Sequence, residues 1–223
     1  MSILAFSWPY LWDHVPELLR GLQRTLEAAA IGIAIAFGVG LLLGAARAYR
    51  IPVVSQLAAV YVEIIRNTPL LVQIFFIFYG LPKYGIRLEP FTTTWVAIGI
   101  WGGAFNTENF RAGFLAVPAR YREAGSALGF GPIRTFLNVT LPIGGRIAIP
   151  ASINTYISVL KNTALVTAIG YPELTNVAYS LNAVDFRAIE VFAFIAVAYL
   201  TVVWTFSALI RFVESRLRLP ETV

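Results

Sequence analysis

The chain has 223 residues, 58% of them hydrophobic and 13% charged, with 17 Lys and Arg against 12 Asp and Glu and a mean hydropathy of +0.72. Soluble domains carry about 25% charged residues, so this composition points to a bilayer, where a basic excess reports orientation rather than nucleic-acid binding. No cysteine is present, which excludes a disulfide framework, a thiolate metal site and a thiol nucleophile.

Residues 1–20 open the chain with "WPYLW" and "DHVPELLR". They lack a basic n-region, and Asp13, His14, Pro16 and Glu17 interrupt their apolar run, so no cleavable signal peptide is expected. An interfacial helix with aromatic anchors fits better. The single histidine, His14, lies in this segment with no partner cluster and is read as a surface residue.

A single membrane domain is expected over residues 21–218. A spanning helix needs about 20 mostly apolar residues, because every backbone polar group must be satisfied internally. Stretches at 22–46, 54–80, 93–114, 147–169 and 188–212 qualify. The first is rich in small residues that allow close helix approach, favouring assembly with a second copy or related chain. Pro69 is expected to kink the second. Five spans put the termini on opposite sides. With the N-terminus outside, the inner segments hold Arg47, Arg50, Arg111, Arg120, Arg122, Arg134, Arg146, Arg211, Arg216 and Arg218. The outer ones hold Arg20, Arg24, Lys83, Arg87 and Arg187, so basic residues favour N-out and C-in.

Between the third and fourth spans lies a polar segment, 118–142, placed in the cytoplasm by this count. Pro118 suits a first helical position, where its missing N–H is an orphan anyway. Arg120 to Leu128 can form two turns, and Gly129 can take the left-handed stop. Pro132 can open a second short helix, which Pro142 is expected to limit. The fold expected is therefore all-α, with five membrane helices and a protruding cytoplasmic helical pair.

The run "EAGSALGFGPIRTFLNVTLP" resembles the cytoplasmic signature of ABC-importer permeases, which reads Glu-Ala-Ala, three residues, Gly, nine residues, Ile, one residue, Leu-Pro. Glu123, Ala124, Gly129, Leu141 and Pro142 match in register, while Gly125 replaces the second Ala and Val139 the Ile. "EIIRNTPLLVQIFFIFYGLP", "FRAGFLAVPARYREAGSALG" and "LKNTALVTAIGYPEL" extend the resemblance to the polar amino-acid permeases of the histidine, glutamine and glutamate type. It covers the chain from about Gly21 to Arg218, with all blocks in order.

The resemblance implies a type I importer permease: a dimeric pore in the inner membrane, bound to two cytoplasmic ATPases and served by an extracytoplasmic binding protein. The short helix would sit in a groove on the ATPase, engaging it through Arg122, Glu123, Ala124, Gly125, Ala127, Leu128, Gly129 and Phe130. Gly129 would supply the stop and a close contact, Ala124 and Gly125 would keep the projection slim, and Glu123 would pair with a basic residue of the ATPase. No cofactor is expected on this chain, since it holds no GxxxxGK[ST] phosphate loop. ATP and Mg belong to the partner.

Ionisable groups inside spans cost roughly 2.5–3.5 kcal/mol each on insertion scales, so they face an interior or a water-filled path. Spacing puts Asn154, Ser158, Lys161 and Asn162 on or near one helix face, with Thr155 and Thr163 beside them. Such a stripe can line a cavity or knit two helices together. Related permeases for cationic amino acids resemble "NEF" and "KDTSL" here; this chain has Thr155 and Asn162 where those carry acids and keeps Lys161. A mid-span Lys without a nearby acid favours a carboxylate-bearing cargo, glutamate or aspartate, with glutamine or broad polar uptake as the alternative. Arg66 is expected to pair with Glu63 or a partner-chain acid. Glu108, in the polar run Asn106–Asn109, is read as structural or gating; Glu27 is unassigned.

An intramembrane hydrolase would need a Ser–His pair or paired aspartates. Only Asp13 and Asp185 are available, both outside the spans, so no enzyme is expected. An ATP-independent channel or secondary transporter is countered only by the projecting segment.

Overall fold

The computed structural model describes the backbone of residues 6–217 and the side chains of 6–212; the Arg216 side chain, and Arg218 with the last residue of the expected domain, lie outside these ranges. Among the described residues, eight helical elements follow one another. They are α1 (Trp8–Ala48), α2 (Val54–Arg66), α3 (Leu70–Tyr84), α4 (Pro90–Leu115), α5 (Ala119–Ala127), α6 (Pro132–Ile169), α7 (Leu174–Asp185) and α8 (Ala188–Leu217).

Helix α1 starts at Ser7, whose hydroxyl accepts from the Tyr10 N–H, and runs unbroken for 41 residues. No boundary separates residues 8–20 from the first span. Pro16 lies within the helix, and the carbonyl its ring leaves free belongs to Trp12, an exposed residue.

Three helices, α1, α6 and α8, are long and apolar enough to cross a membrane, and α2 with α3 passes as a bent pair. The bend is 106°, a true break rather than the kink expected of Pro69. The chain resolves the exposed backbone groups there with side chains. Gln73 Nε2 donates to the Ile65 and Thr68 carbonyls at 2.9 and 3.1 Å, Thr68 Oγ1 to the Ile64 carbonyl, and Asn67 Nδ2 to the Glu63 carbonyl.

Helix α4 is the fifth element of membrane length, about 39 Å for its 26 residues. Its polar run keeps it below the apolar threshold, yet it is the most enclosed helix. Gly32, Gly40 and Gly44 of α1 abut Ile98, Asn106 and Phe110 of α4, a constant offset that makes the two helices parallel. Parallel neighbours require the chain to return between them, and the broken α2–α3 pair makes that return. Helix α6 crosses α4 antiparallel, with Gly102 beside Val159, Asn109 bonded to Thr155, and Gly113 against Gly144. At the last crossing the backbones touch, and a Cβ on Gly113 would fall on the Gly144 carbonyl oxygen.

Pro142 does not end a helix as expected. The turn Phe136–Thr140 widens to π geometry, the Leu141 N–H bonds back to the Phe136 carbonyl, and the rod continues to Ile169. The longer hydrogen-bond step shifts register so that Pro142, lacking its own N–H, needs no partner. "FIFYGLP" repeats the device in α3, where the Leu81 N–H bonds to the Phe76 carbonyl ahead of Pro82.

Candidate functional site

At the end of the bundle where α1 and α4 finish and α6 begins, α5 projects as a nine-residue helix. Pro118 is the residue just before it, and Ala119 opens it. It stops in a Schellman turn: the Phe130 N–H bonds to the Gly125 carbonyl at 3.0 Å and the Gly129 N–H to the Ser126 carbonyl at 2.9 Å. Gly129 sits at φ +78°, the left-handed conformation expected. A Cβ there would meet nothing within 4 Å, so the chain itself imposes no close contact at this glycine.

The helix has two sides. Gly125 is buried and faces Thr135 and Val139, where a Cβ would make ordinary contacts at 3.4–3.6 Å, so it lies on the side of α5 that packs on the start of α6 rather than slimming the outer surface. Tyr121, Glu123, Ala124, Ala127, Leu128 and Gly129 are exposed, while Arg122 and Phe130 are half-buried. Leu128 and Ile133 are each 75% exposed. Two large apolar side chains beside a bare glycine form a surface suited to another protein. Next to it, Tyr49, Ile51, Pro52, Ile133 and Phe136 line a cavity of about 510 Å³.

Behind α5, the polar run of α4 ties the bundle together. Glu108 pairs with Arg47 of α1 and with Arg111, whose Nη2 donates at 2.7 Å. Buried Asn106 donates to the Ala36 carbonyl of α1 at 3.3 Å, and Asn109 reaches Thr155 Oγ1 of α6 at 3.0 Å. Glu108 therefore joins helices α1 and α4. Arg66 does not pair with Glu63: its guanidinium lies 4.9 Å over the Phe105 ring, while Glu63 accepts from Asn67 at 2.8 Å.

The residues expected along a path divide between two faces of α6. Asn154 and Lys161 are exposed, Ser158 and Asn162 half-buried, and Ser158 donates back to the Asn154 carbonyl. Thr155 and Thr163 turn into the bundle, Thr163 bonding to the Leu160 carbonyl at 2.7 Å. Lys161 is exposed and stands where α6 passes from α to 3-10 winding, eight residues before the rod ends at Ile169.

Sequence reasoning passed over Glu173, which is fully buried at the far end of the bundle, in the connection from α6 to α7. It accepts from the Thr175 and Asn176 N–H groups at 2.9 and 2.7 Å, from Tyr199 Oη at 3.1 Å and from Thr25 Oγ1 at 3.4 Å. Burial raises its pKa, against the lowering effect of the bonds from Thr175, Asn176 and Tyr199. The signal was an acid two residues before the "TN" that opens a helix, the place where orphan N–H groups need an acceptor. Glu27, left unassigned, accepts from Gln23 at 2.7 Å on the surface. His14 accordingly has a local role, Nδ1 donating to the Tyr10 carbonyl at 2.8 Å with Asp185 3.9 Å from Nε2.

A helical bundle of membrane-length rods, with one short, glycine-stopped helix standing off its end, is the architecture of an integral membrane protein. The chain belongs to the family described as the binding-protein-dependent transport system inner membrane component, whose profile matches residues 36–219. Among its relatives, the glutamine transport system permease protein GlnP of Escherichia coli (strain K12) is 35% identical over 218 residues, covering 97% of this chain and all of that one. The probable glutamine ABC transporter permease protein GlnP of Bacillus subtilis (strain 168) is 36% identical over 179 residues, 80% of this chain and 82% of that one. The crystal structure of an amino acid ABC transporter with histidines superposes with a TM-score of 0.86 at 31% identity, covering 96% of this chain and all of that chain. The chain is an inner-membrane permease subunit and not an enzyme; the ATPase is a separate partner subunit.

Proposed function

We propose that this chain is the translocation subunit of an importer for polar amino acids, with glutamine or a broader neutral polar set as cargo. The observation that carries the coupling role is α5: an exposed helix face ending at Gly129, with Leu128 and Ile133 offered outward, fixed by Gly125 to the start of a membrane rod. Force applied to α5 acts directly on α6. On this reading two permease chains form the pore, two ATPase subunits grip one α5 each, and an external binding protein delivers cargo to the opposite end. The N-terminus lies outside, which puts α5 in the cytoplasm, in line with the arginine bias. ATP-driven closure of the ATPase pair swings α6, and α4 packed on it, between outward- and inward-open arrangements.

The neutral cargo is supported by the glutamine systems among the relatives. It replaces glutamate or aspartate as the favoured cargo. The test is reconstitution with the partner ATPase and binding protein, followed by an amino-acid screen of stimulated ATP hydrolysis. Glutamine is expected to stimulate above glutamate and aspartate. Stimulation confined to lysine and arginine, or to the acidic pair, would overturn the cargo assignment.

A further inference from the structure

The connection between α1 and α2 carries backbone strain that packing of the bundle does not explain. Helix α1 stops in a Schellman turn, the Ile51 N–H bonding to the Ala46 carbonyl at 3.0 Å and the Arg50 N–H to the Arg47 carbonyl at 3.3 Å. Arg50 takes the left-handed position, φ +52°, that Gly129 takes after α5. Just beyond, the Val54 N–H closes on the Pro52 carbonyl at 2.7 Å, with Val53 between them at φ +64° and ψ −55°. That is the positive-φ form of the γ-turn, rare and strained for any residue and more so for a β-branched one. Val53 is 63% exposed, so burial of its side chain does not offset the strain. Backbone held in this way clusters where a protein meets a ligand or a partner.

The turn forms part of a cavity wall. Ile51 and Pro52 line the cavity of about 510 Å³ beside α5, together with Ile133 and Phe136 at the start of α6 and Ala45 of α1. Tyr49 spans the two helices: its hydroxyl lies 2.7 Å from Thr140 Oγ1, and its ring meets the Phe136 ring at 5.5 Å. With that hydroxyl engaged, the lining side chains offer an occupant apolar surface alone. Three observations choose the occupant. Ile133 belongs both to the cavity and to the outward surface it shares with Leu128, so the cavity continues the α5 face. Irregular backbone does not stand against lipid within the hydrocarbon layer, so the γ-turn puts the cavity mouth in water, within reach of a soluble protein. Arg50 and Arg134, each next in sequence to a lining residue, are exposed and form no ion pair among the described residues, which calls for carboxylates on whatever docks.

We infer that the α1–α2 turn and this cavity are a second seat for the partner ATPase, taking one large apolar side chain of that subunit with carboxylates beside it. The inference rests on the proposed docking of the ATPase at α5 and extends it. With both seats filled, the ATPase grips the end of α1 as well as the start of α6. Its movement then changes the angle between two membrane rods instead of pushing on one.

The test uses the assembled complex in inverted vesicles. Ile51→Cys, an exposed position in a chain without cysteine, is expected to crosslink to a cysteine-bearing ATPase, as Leu128→Cys does. Ala45→Phe puts a ring into the cavity, and the ATPase should leave the diluted complex about tenfold faster, the loss of one buried apolar side chain. Crosslinking from Leu128→Cys alone would overturn the inference and leave the α5 docking standing. Crosslinking from neither position would remove both. A disulfide joining two Ile51→Cys permease chains would give the cavity to a second copy and overturn the inference, as would wild-type retention of the ATPase by Ala45→Phe.

Discussion

Replacing Gly129 separates the backbone cost of the α5 stop from its contact role. A non-glycine residue at φ +78° costs about 1–2 kcal/mol, and asparagine, which tolerates this conformation, costs less. No atom lies within 4 Å of where a Cβ would stand, so nothing is added by collision within the chain. Spread over a chain of this size, the loss lowers the thermal midpoint by about 2–4 °C per kcal/mol. Gly129→Asn and Gly129→Glu should therefore insert, fold and melt close to wild type. If the bare surface at Gly129 receives the ATPase, both variants lose amino-acid-stimulated ATP hydrolysis at least tenfold, equivalent to about 1.4 kcal/mol, and Gly129→Glu loses more. The assay is stimulated ATPase activity of the reconstituted complex beside its melting curve. Wild-type stimulation in Gly129→Glu would refute the contact role, and a collapse of the melting midpoint would refute the claim that the site is open.

At the α4–α6 crossing, Gly113→Ala drives a methyl group into the Gly144 carbonyl, and the expected loss is about 1–3 kcal/mol, read as a lower thermal midpoint in detergent. Glu108→Gln leaves Arg47 and Arg111 without their shared carboxylate, so about 1–3 kcal/mol is lost; the same melting assay shows whether the cluster joins helices, and an unchanged midpoint would count against it. Glu173→Ala strips an acceptor from Thr175, Asn176, Tyr199 and Thr25 and should cost more than Glu173→Gln, which keeps one. Because burial raises the Glu173 pKa, the folded chain holds that proton more tightly than the unfolded one. Its contribution is greatest below the ordinary carboxylate range and is lost as pH rises through the raised value. Glu173→Gln removes this pH dependence, which a melting series from pH 4 upward (about the ordinary carboxylate value) measures.

The all-helical class and the Gly129 stop were readable from apolar run lengths and turn chemistry, whereas the small residues of α1, expected to meet a second copy, pack on α4 of the same chain. The prolines were harder, because their effect depends on what can rescue the backbone around them. Pro16 breaks nothing, since the orphaned carbonyl belongs to a surface residue. Pro69 turns the chain by 106°, because Gln73, Thr68 and Asn67 satisfy the freed groups. Pro142 is absorbed by a π turn that no composition rule reveals. Within the site, periodicity placed Asn154 and Lys161 on one side of α6, and both are exposed there. The ring under Arg66 was not legible because Phe105 lies on another helix and 39 residues away. Glu173 was missed because its partners come from three separate segments.

The absence of cysteine makes the central claim directly measurable. Single cysteines at Ala124, Leu128 and buried Gly125 can each be tested for crosslinking to a cysteine-bearing partner ATPase in inverted and right-side-out vesicles. The account predicts crosslinks from Ala124→Cys and Leu128→Cys on the cytoplasmic side, changing in yield with nucleotide, and none from Gly125→Cys. Labelling of Ala124→Cys from the external side, or no crosslink at either exposed position, would contradict it.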